Sequence, residues 1–155
     1  MPLANNALVL VTDGRKTLFL RNHGDENQID LRTEDFEERE DLKDHDMKSD
    51  AAGSSKQSFG FARPAMEETD FHELEKSRWA KQTAERVNKR ALSNDFDALA
   101  VIAPPRTLAE LRKNFHKESE RRLVCEVPKE MTARPIPDIE ALIETQTQAK
   151  APAEF

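Results

Sequence analysis

Three short apolar runs constrain the fold more than anything else in the chain: residues 7–12 (ALVLVT), 97–103 (DALAVIA) and 122–129 (RLVCEVPK). Each is too short for a helix with its own apolar face. Each suits a strand covered on both sides. The first run meets Asp13-Gly14 and then RKTLFLRN. Two apolar runs joined by Asp-Gly are a hairpin signal, and the expected type I′ turn needs positive φ at both central positions. Ile29, Leu31 and Thr33 alternate with Asp30 and Arg32, so a third strand with one buried face is expected, ending near Phe36. Three antiparallel strands in succession make a meander.

The later strands are separated by helical patterns. Over 69–92, Ala80, Ala84, Val87 and Ala91 recur at helical spacing and form one narrow stripe of small residues. Thr69 or Asp70 is the expected N-cap, with Glu73 supporting the first turn. Pro104-Pro105 closes the run 97–103, because proline brings no ladder donor. Thr107 and Glu110 have the spacing of a capping box, followed by Leu108, Leu111, Arg112 and Phe115 on a helix. A short helical piece follows at 117–121, then the strand ending at Pro128. A last helix is expected over 137–146, with Ile139, Leu142 and Ile143 as its apolar face. The order β-β-β-α-β-α-β-α predicts an α/β fold with a central mixed sheet and helices packed on it.

A length of 155 residues suits one domain, here 1–147, with a frayed tail at 148–155. Charged residues make up 35% of the chain, which limits the core to a modest size. The net charge of -6 is concentrated. Between Glu34 and Asp50 nine acids meet three bases, and the rest of the chain is neutral. Residues 37–65, first acidic and then bearing Gly53, Ser54, Ser55, Gly60 and Pro64, read as a mobile loop. No run of 18 apolar residues occurs, so no membrane-spanning helix is expected. The first residues lack a basic n-region, and a secretory signal is not expected. Cys125 is the sole cysteine, which rules out a disulfide within the chain or a four-thiolate zinc site. A cytoplasmic location is the default.

Catalytic candidates are few. Asp13 ends the first strand, but the strand over 97–103 has its acid, Asp97, at the wrong end for a shared metal. His72 and Glu73 have no accompanying nucleophile, and His23, His45 and His116 lack ligand spacing. His116 is expected to interact with a helix C-terminus. Cys125, facing opposite to Val124 if alternation holds, reads as a small buried hydrophobe. No catalytic residue, metal or cofactor is assigned. The basic residues Arg106, Arg112, Lys113, Lys117, Arg121 and Arg122, offset by Glu110, Glu118 and Glu120, are the strongest functional signal. They are candidates for a surface facing nucleic-acid phosphates. No interleaved aromatic set accompanies them, so readout of single-stranded bases is not expected.

Four segments carry a resemblance: LVLVTDGRKTLFL, FHELEKSRWAKQTAERVNKRA, LAVIAPPRTLAELRKNF, and RRLVCEVPKEMT followed by IPDIEALI. In this order they resemble the bacterial host attachment proteins, and strand-Ala-Pro-Pro-Arg-x-Leu-x-x-Leu-Arg is the most specific of them. That family is in turn similar to the middle domain of archaeal and eukaryotic class-1 release factors and Pelota proteins. The resemblance implies a ribonuclease H-like sheet. In release factors a Gly-Gly-Gln loop between the early strands and the long helix hydrolyses peptidyl-tRNA. The corresponding stretch here, GSSKQSFGFARPAMEE, has no Gly-Gly-Gln, so that reaction is not carried over. The implied function is a non-enzymatic module acting on ribosome or RNA. The alternatives are a factor that influences host attachment indirectly through a protein partner, and a metal-dependent ribonuclease H-like hydrolase.

Overall fold

Among the described residues five strands form one sheet, in the spatial order Leu31–Glu38, Lys16–Asn22, Leu8–Thr12, Leu99–Ile102, Leu123–Val127. In the computed structural model, residues 3–39 and 65–150 are described, with side chains for 3–39 and 71–147. Strands β1 (Leu8–Thr12), β2 (Lys16–Asn22) and β3 (Leu31–Glu38) form the antiparallel meander. Strands β4 (Leu99–Ile102) and β5 (Leu123–Val127) lie parallel to β1 and to each other. Helices α1 (Ala65–Leu92), α2 (Pro105–Asn114), α3 (Lys117–Arg122) and α4 (Ile136–Lys150) complete a single-domain α/β fold with a mixed sheet.

Alternation along β1 divides the core into two layers. Leu8 and Leu10 face one side with Phe19, Leu99 and Val101, and are covered by Ala80, Ala84, Val87 and Ala91 of α1 and Leu108 and Leu111 of α2. Val9 and Val11 face the other side with Leu20, Ala100, Ile102 and Val127, under Ile139 and Ile143 of α4. The small side chains of the α1 stripe let its backbone lie close on the sheet. The expected apolar face of α4 holds, with Leu142 half-buried beside it.

Several local expectations give way to other devices. The Asp13-Gly14 hairpin forms, but not with a type I′ turn. Asn6 and Asn94 are the positive-φ positions among the described residues, and Gly14 is not one of them. Asp13 instead builds the turn with its own side chain, Oδ1 accepting from the amides of Arg15 and Lys16 at 2.8 and 2.7 Å. An added Cβ at position 14 would meet Cγ of Lys76 at 2.7 Å, so a larger residue there would push the Lys76 side chain aside. Strand β3 runs two residues past Phe36, and beyond Leu31 it is mostly exposed, as an edge strand with charged residues. Thr69 and Asp70 lie within α1 rather than at its start. At α2 the Thr107–Glu110 capping box does not form. Pro104 is the N-cap, with no side-chain cap, and Pro105 opens the helix because its fixed φ is already helical. A bulge at Val124 puts it on the same core as Cys125, so the expected alternation fails there. Most of the expected loop 37–65 and the end of the expected tail lie outside the described residues, at 40–64 and 151–155.

Buried polar groups lock the layers together. Thr12, Thr17 and Thr83 form a hydroxyl chain from β1 through β2 to α1, at 2.8 and 3.1 Å. Arg21 of β2 is 7% exposed and uses all five guanidinium donors. Its Nε and Nη2 donate to the Glu34 carboxylate at 3.0 and 3.1 Å. Nη2 also reaches Asp95 Oδ2 at 2.7 Å, and Nη1 donates to the carbonyls of Asn6 and Asp95. Glu34 can face Arg21 because it is the extra residue of a β-bulge between the pairs Phe19–Asp35 and Leu20–Thr33.

Two outcomes check this packing. Ala84→Arg places an unpaired charge under the sheet, and the loss of stability should be on the order of 3–5 kcal/mol, read as loss of cooperative thermal unfolding. Hydrogen bonding from Arg21 holds the Glu34 carboxyl below its ordinary value of 4.5. A carboxyl depressed on folding contributes stability above its unfolded value and loses it as pH falls through the folded value. Acid unfolding of wild type should therefore begin to steepen below about pH 4.5, and Glu34→Gln should unfold with a shallower pH dependence there.

Candidate nucleic-acid interface

The basic residues singled out from the sequence lie on the helices of one sheet face. Arg106 follows Pro105 in the first turn of α2. Its side chain is 85% exposed, with Nη1 3.3 Å from Glu73 Oε1 of α1. Arg112 makes two hydrogen bonds to Glu126 of β5, Nε at 3.0 Å and Nη2 at 2.6 Å. These bonds raise the Arg112 pKa above its already high ordinary value. Lys113 approaches Glu110 at 3.4 Å. Arg121 donates to Glu118 at 2.6 Å, and Glu118 is held below the usual carboxylate range by Arg121 and then Arg122. Lys117 is exposed, with no ion pair among the described residues.

Arg122 does not belong to this surface. It is 7% exposed and donates inward to the Phe96 carbonyl and to Asn94 Oδ1, with its guanidinium 5.8 Å from the Phe96 ring centroid. The residue that receives it, Asn94, sits at φ 59°. It ends α1 with a paired amide pattern, Asn94 N to Ala91 O and Asp95 N to Arg90 O, and so fills the left-handed cap usually given to glycine.

Sequence reasoning missed the residue that assembles this face. Asn88 of α1 donates from Nδ2 to the Asn114 carbonyl at the end of α2, at 2.9 Å. Its Oδ1 accepts from the His116 amide and the Ser119 hydroxyl, both at 2.7 Å. One amide side chain thus fixes the junction of α1, α2 and α3. A polar residue four beyond Ala84 on an otherwise buried stripe was the available signal. His116 also differs from expectation. It caps the start of α3, its Nδ1 accepting from the Glu118 amide at 3.0 Å, rather than facing a helix C-terminus.

The catalytic candidates do not converge. Among the described residues no group of three His, Cys, Asp or Glu side chains is arranged to hold a metal ion. Both Asp13 oxygens are engaged, Oδ1 by the turn amides and Oδ2 by the Thr132 hydroxyl at 2.7 Å. His72 and Glu73 lie within α1, where Glu73 faces Lys76 and Arg106. No helix among the described residues is long and apolar enough to cross a membrane.

The junction is testable. Asn88→Ala removes three hydrogen bonds and leaves a carbonyl, an amide and a hydroxyl without that partner. A loss of about 1–3 kcal/mol is expected, read as a shifted urea midpoint.

Comparison with curated proteins finds no match. Among protein families, the model for bacterial archaeo-eukaryotic release factor family 12 matches residues 6–143, which takes in all five strands and most of α4. The chain belongs to the bacterial archaeo-eukaryotic release factor family 12.

Proposed function

We propose that the protein is a non-enzymatic binding module that acts on the ribosome or RNA in the cytoplasm. Membership of a release-factor family carries this reading. The chain has four glycines, none adjacent to another, so it has no Gly-Gly-Gln with which to attack peptidyl-tRNA. What such a module retains is the capacity to dock. Arg106, Arg112, Lys113, Lys117 and Arg121 are the proposed phosphate-facing residues, since all five lie on α2 and α3 and are exposed. Phosphate contact of this kind is independent of sequence and sensitive to salt.

A second reading, an indirect role in attachment to host cells through a protein partner, draws on Phe71 and Leu74. These exposed apolar residues lie one turn apart on α1. A hydrolase of the ribonuclease H-like kind has less support, because Asp13 is already occupied as a turn and loop anchor.

Co-sedimentation with purified 70S ribosomes separates these readings. Binding at low salt that is lost at high salt is expected. Absence of binding at low salt would overturn the ribosome and RNA reading in favour of a protein partner. Metal-dependent cleavage of RNA by the purified protein would overturn the non-enzymatic part.

A further inference from the structure

A groove of about 380 Å³ runs along the flank of α1 that faces the end of β3. Helical spacing sorts its α1 lining into two rows. Trp79, Thr83 and Arg86 form the inner row, buried or half-buried. Gln82, Glu85 and Lys89 form the exposed outer row, and Glu37 of β3 closes the opposite wall. Part of this lining is committed to the fold. The Thr83 hydroxyl bonds to Thr17, and Arg86 pairs with Asp35 and Glu37 while lying over the Phe19 ring. The side chains of the outer row have no hydrogen bond or ion pair among the described residues.

The wall formed by Trp79 has an unusual character. Its indole Nε1–H is buried with no hydrogen-bond partner, while the residue as a whole is only half-buried. What Trp79 turns to the groove is therefore ring carbon rather than its polar edge. A buried unsatisfied N–H costs stability, and a phenylalanine at the same place would avoid that cost. Stability alone gives no reason for an indole here. A broad π face on the wall of a groove is a stacking surface for a planar ligand.

We infer that this groove binds one unpaired nucleotide of an RNA, with the base stacked on Trp79, the base edge met by Gln82 and Glu85, and the phosphate met by Lys89. The inference deepens the proposed RNA reading and rests on it. Stacking on an aromatic face tolerates any base. Gln82 lies three residues beyond Trp79 and is its neighbour on the helix surface, with a donor and an acceptor on one amide. Glu85, three residues further, accepts from exocyclic amino groups. Lys89 is ten residues beyond Trp79, about 15 Å along the axis, a span shared between the ligand's sugar-phosphate and the reach of the lysine side chain. A cationic ligand is disfavoured, because the Arg86 guanidinium lines the same floor. A single-strand channel needs a series of aromatic rings, which the basic helices lack, but one indole serves one base. The helix that carries the groove packs on the same sheet face as α2, so one RNA can engage both.

Trp79 is the only tryptophan and the chain has no tyrosine, so its ultraviolet emission reports on this wall alone. The full chain is titrated with a short single-stranded oligoribonucleotide, with the four nucleoside monophosphates and with inorganic phosphate. Saturable quenching by the oligoribonucleotide is expected, with weaker quenching by the monophosphates and none by phosphate. Variants are followed by the anisotropy of a labelled oligoribonucleotide, with thermal unfolding recorded beside it. Trp79→Leu should weaken binding about 5-fold or more, the lower end of base–aromatic stacking. That change also removes packing, so Gln82→Ala, at an exposed position, is the second variant. It should weaken binding and keep the wild-type melting temperature. Lys89→Ala should lower the log–log salt slope by about 0.7, and Lys81→Ala, which removes the same charge outside the groove, should leave quenching and affinity unchanged. Monophosphates that bind as tightly as the oligoribonucleotide would make the ligand a free nucleotide and overturn the RNA part. Quenching by inorganic phosphate alone overturns the stacked base. Oligoribonucleotide binding without quenching, unaltered by the Gln82 and Lys89 variants, overturns the groove while the RNA reading stands. No quenching by any nucleotide, with 70S co-sedimentation retained, also overturns the groove and leaves the ribosome reading in place. Loss of both signals overturns both.

Discussion

The Arg21 guanidinium is the contact on which the arrangement of the sheet depends. Desolvating an arginine is costly unless every donor finds an acceptor, and here all five do. Its acceptors come from three residues: the bulged Glu34 of β3, Asn6 in the segment before β1, and Asp95 in the turn after α1, which accepts with both backbone and side chain. Next to it, Asn22 is fully buried and also saturated. Its Nδ2 donates to the carbonyls of Leu3 and Ala4, and its Oδ1 accepts from the amides of Gly24 and Asp30. As neighbours on a strand, the two residues point to opposite faces. One therefore ties the meander to α1 and the other ties it to the N-terminal segment under α4.

That lock explains why an edge strand with little apolar content holds its place. Beyond Leu31, β3 contributes no fully buried side chain. Its acids instead meet the arginines of α1: Glu34 pairs with Arg90, and Asp35 and Glu37 pair with Arg86. Both arginines also lie over Phe19, which is completely buried. The aromatic ring, two guanidinium planes and three carboxylates form one continuous contact from the core to the sheet edge. It uses part of the acidic run that, in the sequence, is the most conspicuous departure from neutral charge.

The elements were legible because each apolar run or stripe has a period that only one element satisfies. Ala80, Ala84, Val87 and Ala91 fix the buried face of α1, and Ile139 and Ile143 fix that of α4. What was not legible is the chemistry at element ends. Asp13 and Gly14 have the composition of a type I′ turn, yet the Asp13 carboxylate, accepting from the amides of Arg15 and Lys16, builds the turn with no positive φ at Gly14. Thr107 and Glu110 have the spacing of a capping box, yet two prolines upstream start the helix first. Val124 and Glu34 occupy bulges, which insert a residue without leaving a mark in the pattern. Each of these outcomes depends on a group distant in sequence or on a competing local option.

The same limit applies to the candidate interface. The sequence grouped Arg106, Arg112, Lys113, Lys117, Arg121 and Arg122 because they are close along the chain. Partners divide that group. Arg122 turns inward to hold Phe96 and Asn94, Arg112 lies against β5, and Arg121 closes on Glu118 within its own helix. Of the six, Lys117 alone keeps an exposed charge with no ion pair among the described residues. The charge offered to a ligand depends on the ion pairs the fold makes with it. It is decided by which carboxylates the packing brings within reach, and so it can be read only after the helices are in place.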